Sequence, residues 1–232
     1  LDFTQTAAAA GTAALLGGSV VKGAQFLADK LPTNQLMAKI YDGADEAQAD
    51  LVGFLKEFSE RPIETGEAAV IPENQPKVVD PGLKDPVTAK KKVKRKGYKS
   101  PEQLSDIVRA GIAVDRPDEA QALVDKLADN FEIVDEGWDA KPGGYFDRKV
   151  MVKLPNGKTG ELQIYSQEIA SAKDDMHKIY TQAREIEKDP KQQDKYQDLL
   201  KQSDAIAAQA LTAGAAIWQP IYDQINLTVP GL

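Results

Sequence analysis

Alternation dominates the middle of the chain. In "YFDRKVMVKLPNGKTGELQIYS" (residues 145–166) two alternating runs flank Asn156-Gly157, the pair favoured in two-residue hairpin turns, so two antiparallel strands are predicted. In the second run Glu161, Gln163 and Tyr165 alternate with Leu162 and Ile164, sending the polar trio to one face and the aliphatic pair to the other. Such a face is either solvated or a binding surface. Upstream, "AGIAVD" and "FEIVDEGW" read as strands. Between them "PDEAQALVDKLADNF" reads as an amphipathic helix with Ala120, Leu123, Val124 and Leu127 inward.

The flanks carry helical periods. To about Ser59, Leu36, Ile40, Leu51, Leu55 and Phe58 recur at helix-compatible spacings. Pro62, Pro72, Pro76, Pro81 and Pro86 then punctuate a stretch that predicts a linker or wrapping arm. Ser100 and Gln103 have capping-box spacing, with Pro101 at the first helical position. From Gln167 to about Lys188 a helix aligns Lys173, His177, Tyr180 and Arg184 along one face. An alanine-rich segment, roughly Gln192 to Ile225, reads as a last helix for packing or oligomerisation. The predicted organisation is a helical N-terminal extension (1–60), a proline-rich arm (61–88), a compact core (89–188) and a C-terminal helical extension (189–232).

Composition narrows the function classes. With 42% hydrophobic and 28% charged residues the chain is no disordered tail, and a net charge of −7 argues against a general coat for nucleic acid. From Lys84 to Lys99, however, eight basic residues face the single acid Asp85, which points to a specific anionic ligand or a solvated loop. Without cysteine there is no disulfide, thiol or zinc-thiolate chemistry, which fits a reducing compartment. Phe3 to Val21 is uncharged and long enough for a membrane span, but its small-residue content predicts a packed or flexible helix instead. No basic n-region of a signal peptide precedes it, so a cytoplasmic or virion-associated location is expected. The start at Leu1 rather than methionine suggests a piece of a longer protein.

In chain order the polar features are the basic run, Asp106 before a strand, Tyr145 after two glycines, Glu161 on the hairpin, and His177 with Tyr180 on the next helix. Two carboxylates delivered near lysines suit phosphoryl-type transfer, where carboxylates hold Mg²⁺ and lysines neutralise phosphate oxygens. No Walker-type loop or dinucleotide fingerprint is present, and one histidine cannot build a typical zinc site.

That order resembles the RelA/SpoT-like nucleotidyltransferase family, the domain of alarmone synthetases that moves pyrophosphate from ATP to the 3′-hydroxyl of a guanine nucleotide. The matching stretch is roughly residues 80 to 187, and its strongest pieces are Asp106 in "LSDIVRAGI", Gly144-Tyr145, "GELQI" and "AKDDMHKIYTQAR". The resemblance implies an α/β fold, a nucleotidyltransferase-like mixed β-sheet flanked by helices, with helical extensions at both ends. It implies ATP as donor and Mg²⁺ held by Asp106 and Glu161, with Glu161 helping the metal or deprotonating the attacking hydroxyl. Tyr145 would stack on the acceptor base, Lys84, Lys92 and Lys96 would contact donor phosphates, and Gln163 and His177 would shape the acceptor side.

Departures stand beside the matches. The family usually shows aspartate, two or three residues, then glycine and a strand arginine, whereas here the order is Asp106-Ile107-Val108-Arg109-Ala110-Gly111. The serine and histidine expected after the glycine-tyrosine pair are Asp147 and Lys149. Such divergence resembles phage and mobile-element versions embedded in larger polypeptides. Two further readings therefore stay open. One is a catalytically inactive nucleotide-binding or structural module of a larger, virion-associated protein, and the other is a transferase acting on an RNA 3′ end. For each named residue the plain alternative is structural: a solvent-facing strand glutamate, a turn aspartate, a packed tyrosine, a solvated lysine.

Overall fold

The computed structural model describes residues 33–60, 63–65, 68–70 and 75–227, and is organised by one mixed sheet. Its strands are β3 (Lys77–Val79), β4 (Val108–Val114), β5 (Glu132–Ala140), β6 (Phe146–Lys153) and β7 (Thr159–Ser166), in the order β3-β4-β7-β6-β5. Only β4 and β7 run parallel; the other neighbours are antiparallel. A separate short pair, β1 (Ile63–Thr65) and β2 (Ala68–Val70), precedes it. The helices are α1 (Thr33–Tyr41), α2 (Ala44–Ser59), α3 (Pro86–Lys96), α4 (Pro117–Asn130), α5 (Gln167–Ile186), α6 (Gln193–Thr212) and α7 (Ala215–Gln224). The architecture is an α/β mixed sheet flanked by helices.

Period two gives the sheet an apolar and a polar side. Ile112, Leu162, Ile164, Val150 and Val152 are fully buried in one cluster with Leu51 and Leu55 of α2 and Leu123 and Leu127 of α4. Each such aliphatic side chain contributes about 1.5–3 kcal/mol when taken out of water. The register of β4 on β7 and of β6 on β7 places Arg109, Gly111, Ala113, Glu161, Gln163, Tyr165, Asp147, Lys149 and Met151 on the opposite side.

Three local details differ from the sequence reading. The hairpin loop has three residues, not two: Leu154 N–H donates to Lys158 O and Gly157 N–H to Leu154 O, with Gly157 at φ 80°. Pro155 has no N–H to close a tighter loop and suits the first corner of this one. Inside the proline-punctuated arm, β3 pairs with β4 through Lys77↔Ala113, Val78↔Ile112 and Val79↔Gly111. Pro86 there starts a helix instead of breaking one: it occupies the first turn of α3, where no N–H is needed, behind Asp85, whose carboxylate caps Thr88 N–H at 2.8 Å. The basic run is therefore helical.

At the C-terminal side the expected single helix is divided at Gly214 into α6 and α7. Trp218 and Tyr222 of α7 are fully buried. Trp218 meets Trp138 and Phe146 edge-on at 5.4 and 6.0 Å, and Tyr222 meets Phe146 at 5.6 Å, so this segment completes the core. Among the described residues no helix is long and apolar enough to cross a membrane; Phe3–Val21 lies outside them.

Candidate active site

Two charged groups occupy the two ends of the polar face. At the first end, the turn Pro101–Gln103 is closed by the anticipated capping box, with Glu102 N–H on Ser100 Oγ and Ser100 N–H on Gln103 Oε1, and the chain then delivers Asp106. Asp106 is buried, and its Oδ2 takes both the Lys84 and Lys92 ammoniums at 2.8 and 2.7 Å. Lys92 comes from the inner side of α3. Lys84 is fixed by its backbone, whose N–H donates to Ile107 O at 2.9 Å and whose carbonyl accepts the Tyr41 hydroxyl. Burial pushes the Asp106 carboxyl up, but the two lysines outweigh it and hold it below the ordinary carboxylate range. Asp106 Oδ1 stays buried with no partner.

Arg109 and Glu161 are neighbours across β4 and β7. The amide of Gln48, reaching from α2, brackets the backbone of Arg109, donating to its carbonyl at 2.8 Å and accepting from its N–H at 3.0 Å. Glu161 is half-buried; burial and then the nearby Asp106 push its carboxyl up, with Lys92 and Lys149 opposing. Gln163 follows on the same face, its Nε2 3.5 Å from Glu161 Oε1.

The second end centres on Tyr145, Asp147, Tyr165 and Lys173. Tyr165 lies against the bare Cα of Gly111, where an added Cβ would sit 2.6 Å from the phenol oxygen. Lys173 from α5 holds its ammonium 3.9 Å from the Tyr165 ring centre and 5.8 Å from that of Tyr145. The Tyr145 hydroxyl donates to Asp147 Oδ2 at 3.2 Å, while Asp147 Oδ1 is buried without a partner. Burial pushes Asp147 up against the pull of Lys149 and Lys141, and draws Lys173 down to about 8 against the pull of Asp147. Helix α6 clamps the turn before Tyr145: Ser203 Oγ donates to Gly143 O at 2.7 Å, and Gly144, at φ 78°, packs where a Cβ would lie 2.5 Å from Ala207 Cβ.

The structure thus gathers Lys84, Lys92, Asp106, Glu161, Gln163 and Tyr145 on or beside one face. It leaves Lys96 exposed in the last turn of α3 and His177 exposed on α5. Tyr180 and Arg184 do stack, at 5.3 Å, on the exposed side of α5. The sequence marks Asp147 and Lys149 only as departures from the family pattern, and Lys173 only as a helix-face residue. The signal that finds the first two is the alternation in "YFDRKV", which puts them with Tyr145 on the face of Glu161 once the strands are registered.

Seven buried side-chain atoms lack hydrogen-bond partners among the described residues, and three of them, Asp106 Oδ1, Asp147 Oδ1 and Tyr165 Oη, belong to this face. Buried polar atoms are nearly always paired, so each of these three is a point that a ligand or a water would satisfy. Among the described residues no group of three or more acidic or histidine side chains could hold a metal by itself. Magnesium characteristically takes one or two carboxylates and completes its shell with waters and substrate phosphates, and Asp106, with one oxygen uncommitted, together with Glu161 fits that pattern.

No family model and no curated protein matches the chain. Solved structures do. The type VI effector Tas1, in complex with its immunity protein, superposes with a TM-score of 0.55 at 19% identity, over 79% of this chain and 99% of its own. A GTP pyrophosphokinase family protein from Streptococcus pneumoniae gives 0.54 at 17% identity, over 83% and 98%. The small alarmone synthetase 1 from Bacillus subtilis bound to its product pppGpp gives 0.53 at 15% identity, over 82% and 97%. The chain has the RelA/SpoT-like fold of these alarmone synthetases and pyrophosphokinases.

Proposed function

We propose that the polar face is the active site of a Mg²⁺-dependent pyrophosphokinase that transfers the β,γ-diphosphate of ATP to the 3′-hydroxyl of a nucleotide. The observation that carries this reading is buried Asp106 with the Lys84 and Lys92 ammoniums on one of its oxygens, beside the face that carries Glu161. Lys84 and Lys92 would exchange Asp106 for donor phosphate oxygens. Magnesium, when bound by Asp106 and Glu161, would neutralise those oxygens further. Where Glu161 does not bind the metal, it would instead take the proton of the attacking 3′-hydroxyl. That oxygen bonds to the β-phosphorus and AMP leaves. Tyr145 would face the acceptor and Gln163 would lie between the two substrates. That one neighbour is bound to pppGpp supports a nucleotide ligand. Lys96 and His177 are both exposed and touch none of these groups, so any contact they make would be to the nucleotides themselves.

Glu161→Gln keeps volume and removes the charge. With γ-labelled ATP, Mg²⁺ and guanine or adenine nucleotides, the expected result is labelled acceptor from the wild-type chain and none from the variant, at unchanged unfolding temperature. Wild-type turnover in Glu161→Gln would remove Glu161 from the mechanism.

A second reading rests on α3. Its inner side supplies Lys92, while Lys90, Lys91, Lys94, Arg95 and Lys96 are exposed beside the site, a track that would suit the backbone of an RNA 3′ end. Binding to tRNA that falls steeply with salt would favour it. Absence of any thermal shift with ATP and Mg²⁺ at millimolar concentration would favour a structural module instead.

A further inference from the structure

Asp147 carries an inference that goes one step deeper than the proposed reaction and rests on that reading of the face. The residue is 1% exposed, one oxygen is held by the Tyr145 hydroxyl at 3.2 Å, and the other has no hydrogen-bond partner among the described residues. A serine or asparagine could anchor Tyr145 equally well. A buried carboxylate oxygen that no side-chain or backbone donor satisfies is a place where a ligand donor can bind.

Its surroundings describe that ligand. Tyr145, Lys149, Lys141 and Lys173 are only partly buried, so the neighbourhood opens to solvent while Asp147 itself does not. Lys141 is tied in by its backbone N–H on Tyr145 O at 2.7 Å and by an ion pair with Asp139. Burial and then the adjoining Lys149 ammonium hold the Lys141 ammonium below the ordinary lysine range. Lys173 adds a third cation over the two tyrosine rings. One hydrogen-bond acceptor, an aromatic ring and an excess of positive charge match a purine nucleotide: an exocyclic amino N–H for the carboxylate, a π-face for the ring, phosphates for the lysines. Along β7 Glu161 and Tyr165 are four residues apart, about 13 Å at the backbone, and Asp147 flanks Tyr165. A nucleoside whose sugar faces Glu161 would direct its base along β7 toward Asp147.

We propose that Asp147 is the specificity-determining residue for the acceptor, its Oδ1 accepting a hydrogen bond from the exocyclic amino group of a purine nucleoside diphosphate. The family-type serine at this position could not demand such a donor as strictly, because a hydroxyl also donates.

The test measures binding without ATP, by calorimetry, using GDP, ADP and the analogues that lack the exocyclic amine, IDP and purine riboside diphosphate. The wild-type chain should bind at least one amine-bearing diphosphate at least tenfold more tightly than its partner analogue. Asp147→Asn, which keeps the shape, and Asp147→Leu, which removes the acceptor, should each lose at least tenfold for that ligand and flatten the preference. Affinity for a non-hydrolysable ATP analogue should not change. Two substitutions guard against one failing to fold, with unfolding temperature measured for both. Wild-type affinities and preferences in folded variants, equal wild-type affinity within both pairs, or no binding of any of the four diphosphates by the wild-type chain, would overturn the proposal. Because no transfer is needed, Asp147-dependent binding alongside absent turnover would sink the pyrophosphokinase reading alone.

Discussion

Gly144→Ala is the substitution whose cost can be worked out most directly. The residue sits at φ 78°, and the new Cβ would lie 2.5 Å from Ala207 Cβ on α6, with the Asp204 backbone 3.5 Å away. Holding an L-residue in the left-handed region costs about 1–2 kcal/mol. Overpacking against a helix that Ser203 already bonds to Gly143 adds about 1–3 kcal/mol. The sum, about 2–5 kcal/mol, lowers the unfolding temperature by roughly 5–15 °C in a chain of this size. Ala207→Gly alone should cost about 1 kcal/mol as a helix-interior glycine. Combined with Gly144→Ala it should recover the overpacking part but not the backbone part, so the double variant is about 1–3 kcal/mol better than additivity. Urea unfolding of the four chains measures this cycle. Additive costs, or a Gly144→Ala chain as stable as the parent, would refute the claim that α6 clamps the turn carrying Tyr145. The same cycle read on nucleotide binding should show weakened acceptor affinity with donor affinity intact.

Other expectations are smaller in scope. Lys92→Met leaves buried Asp106 with Lys84 alone. Because Asp106 is held below its unfolded value of 3.8, its stabilisation is present above that pH and is lost as pH falls through the folded value; the variant should lose about 1–3 kcal/mol at pH 7 and unfold in acid at a higher pH. Glu119 of α4 is the reverse case, raised by burial to about 7, so the folded state holds its proton more tightly and stability falls as pH rises from 4.5 to 7. Glu119→Gln, still able to accept from Asp115 N–H, should gain on the order of 1 kcal/mol at pH 8 after allowance for solvent screening and nothing at pH 4, as thermal melts will tell. Lys173, drawn down to about 8 by burial despite Asp147, Asp174 and Glu161, should make anionic-ligand affinity fall through that pH. A Lys173→Met chain should lose that step while binding more weakly below it.

The parts of the fold legible in the sequence are those fixed by neighbours in the chain. The β6–β7 alternation, the α4 stripe of Ala120, Leu123, Val124 and Leu127, and the Ser100 cap all depend on residues a few positions apart, and all stand in the structure. What escaped depends on distant partners. Three-residue β3 has too little sequence to show a period and exists because β4 offers it an edge. Likewise, the basic run shows eight cations but not which of them turn inward: Ala89 and Val93 set the buried side of α3, Lys92 borders it, and Lys96 falls in the final turn before Gly97. Asp106 and Glu161 could be named from the family resemblance. Asp147 and Lys173 become legible only when β6 is registered on β7 and α5 folds back over Tyr165.

The most direct test of the central claim is where the label of ATP goes. The wild-type chain, Mg²⁺ and a purine nucleoside diphosphate are incubated with α-labelled or γ-labelled ATP in parallel. The account predicts that γ-label appears on the acceptor and α-label in AMP, both abolished in Glu161→Gln. α-Label on the acceptor, or release of γ-label as inorganic phosphate with the acceptor untouched, would contradict it.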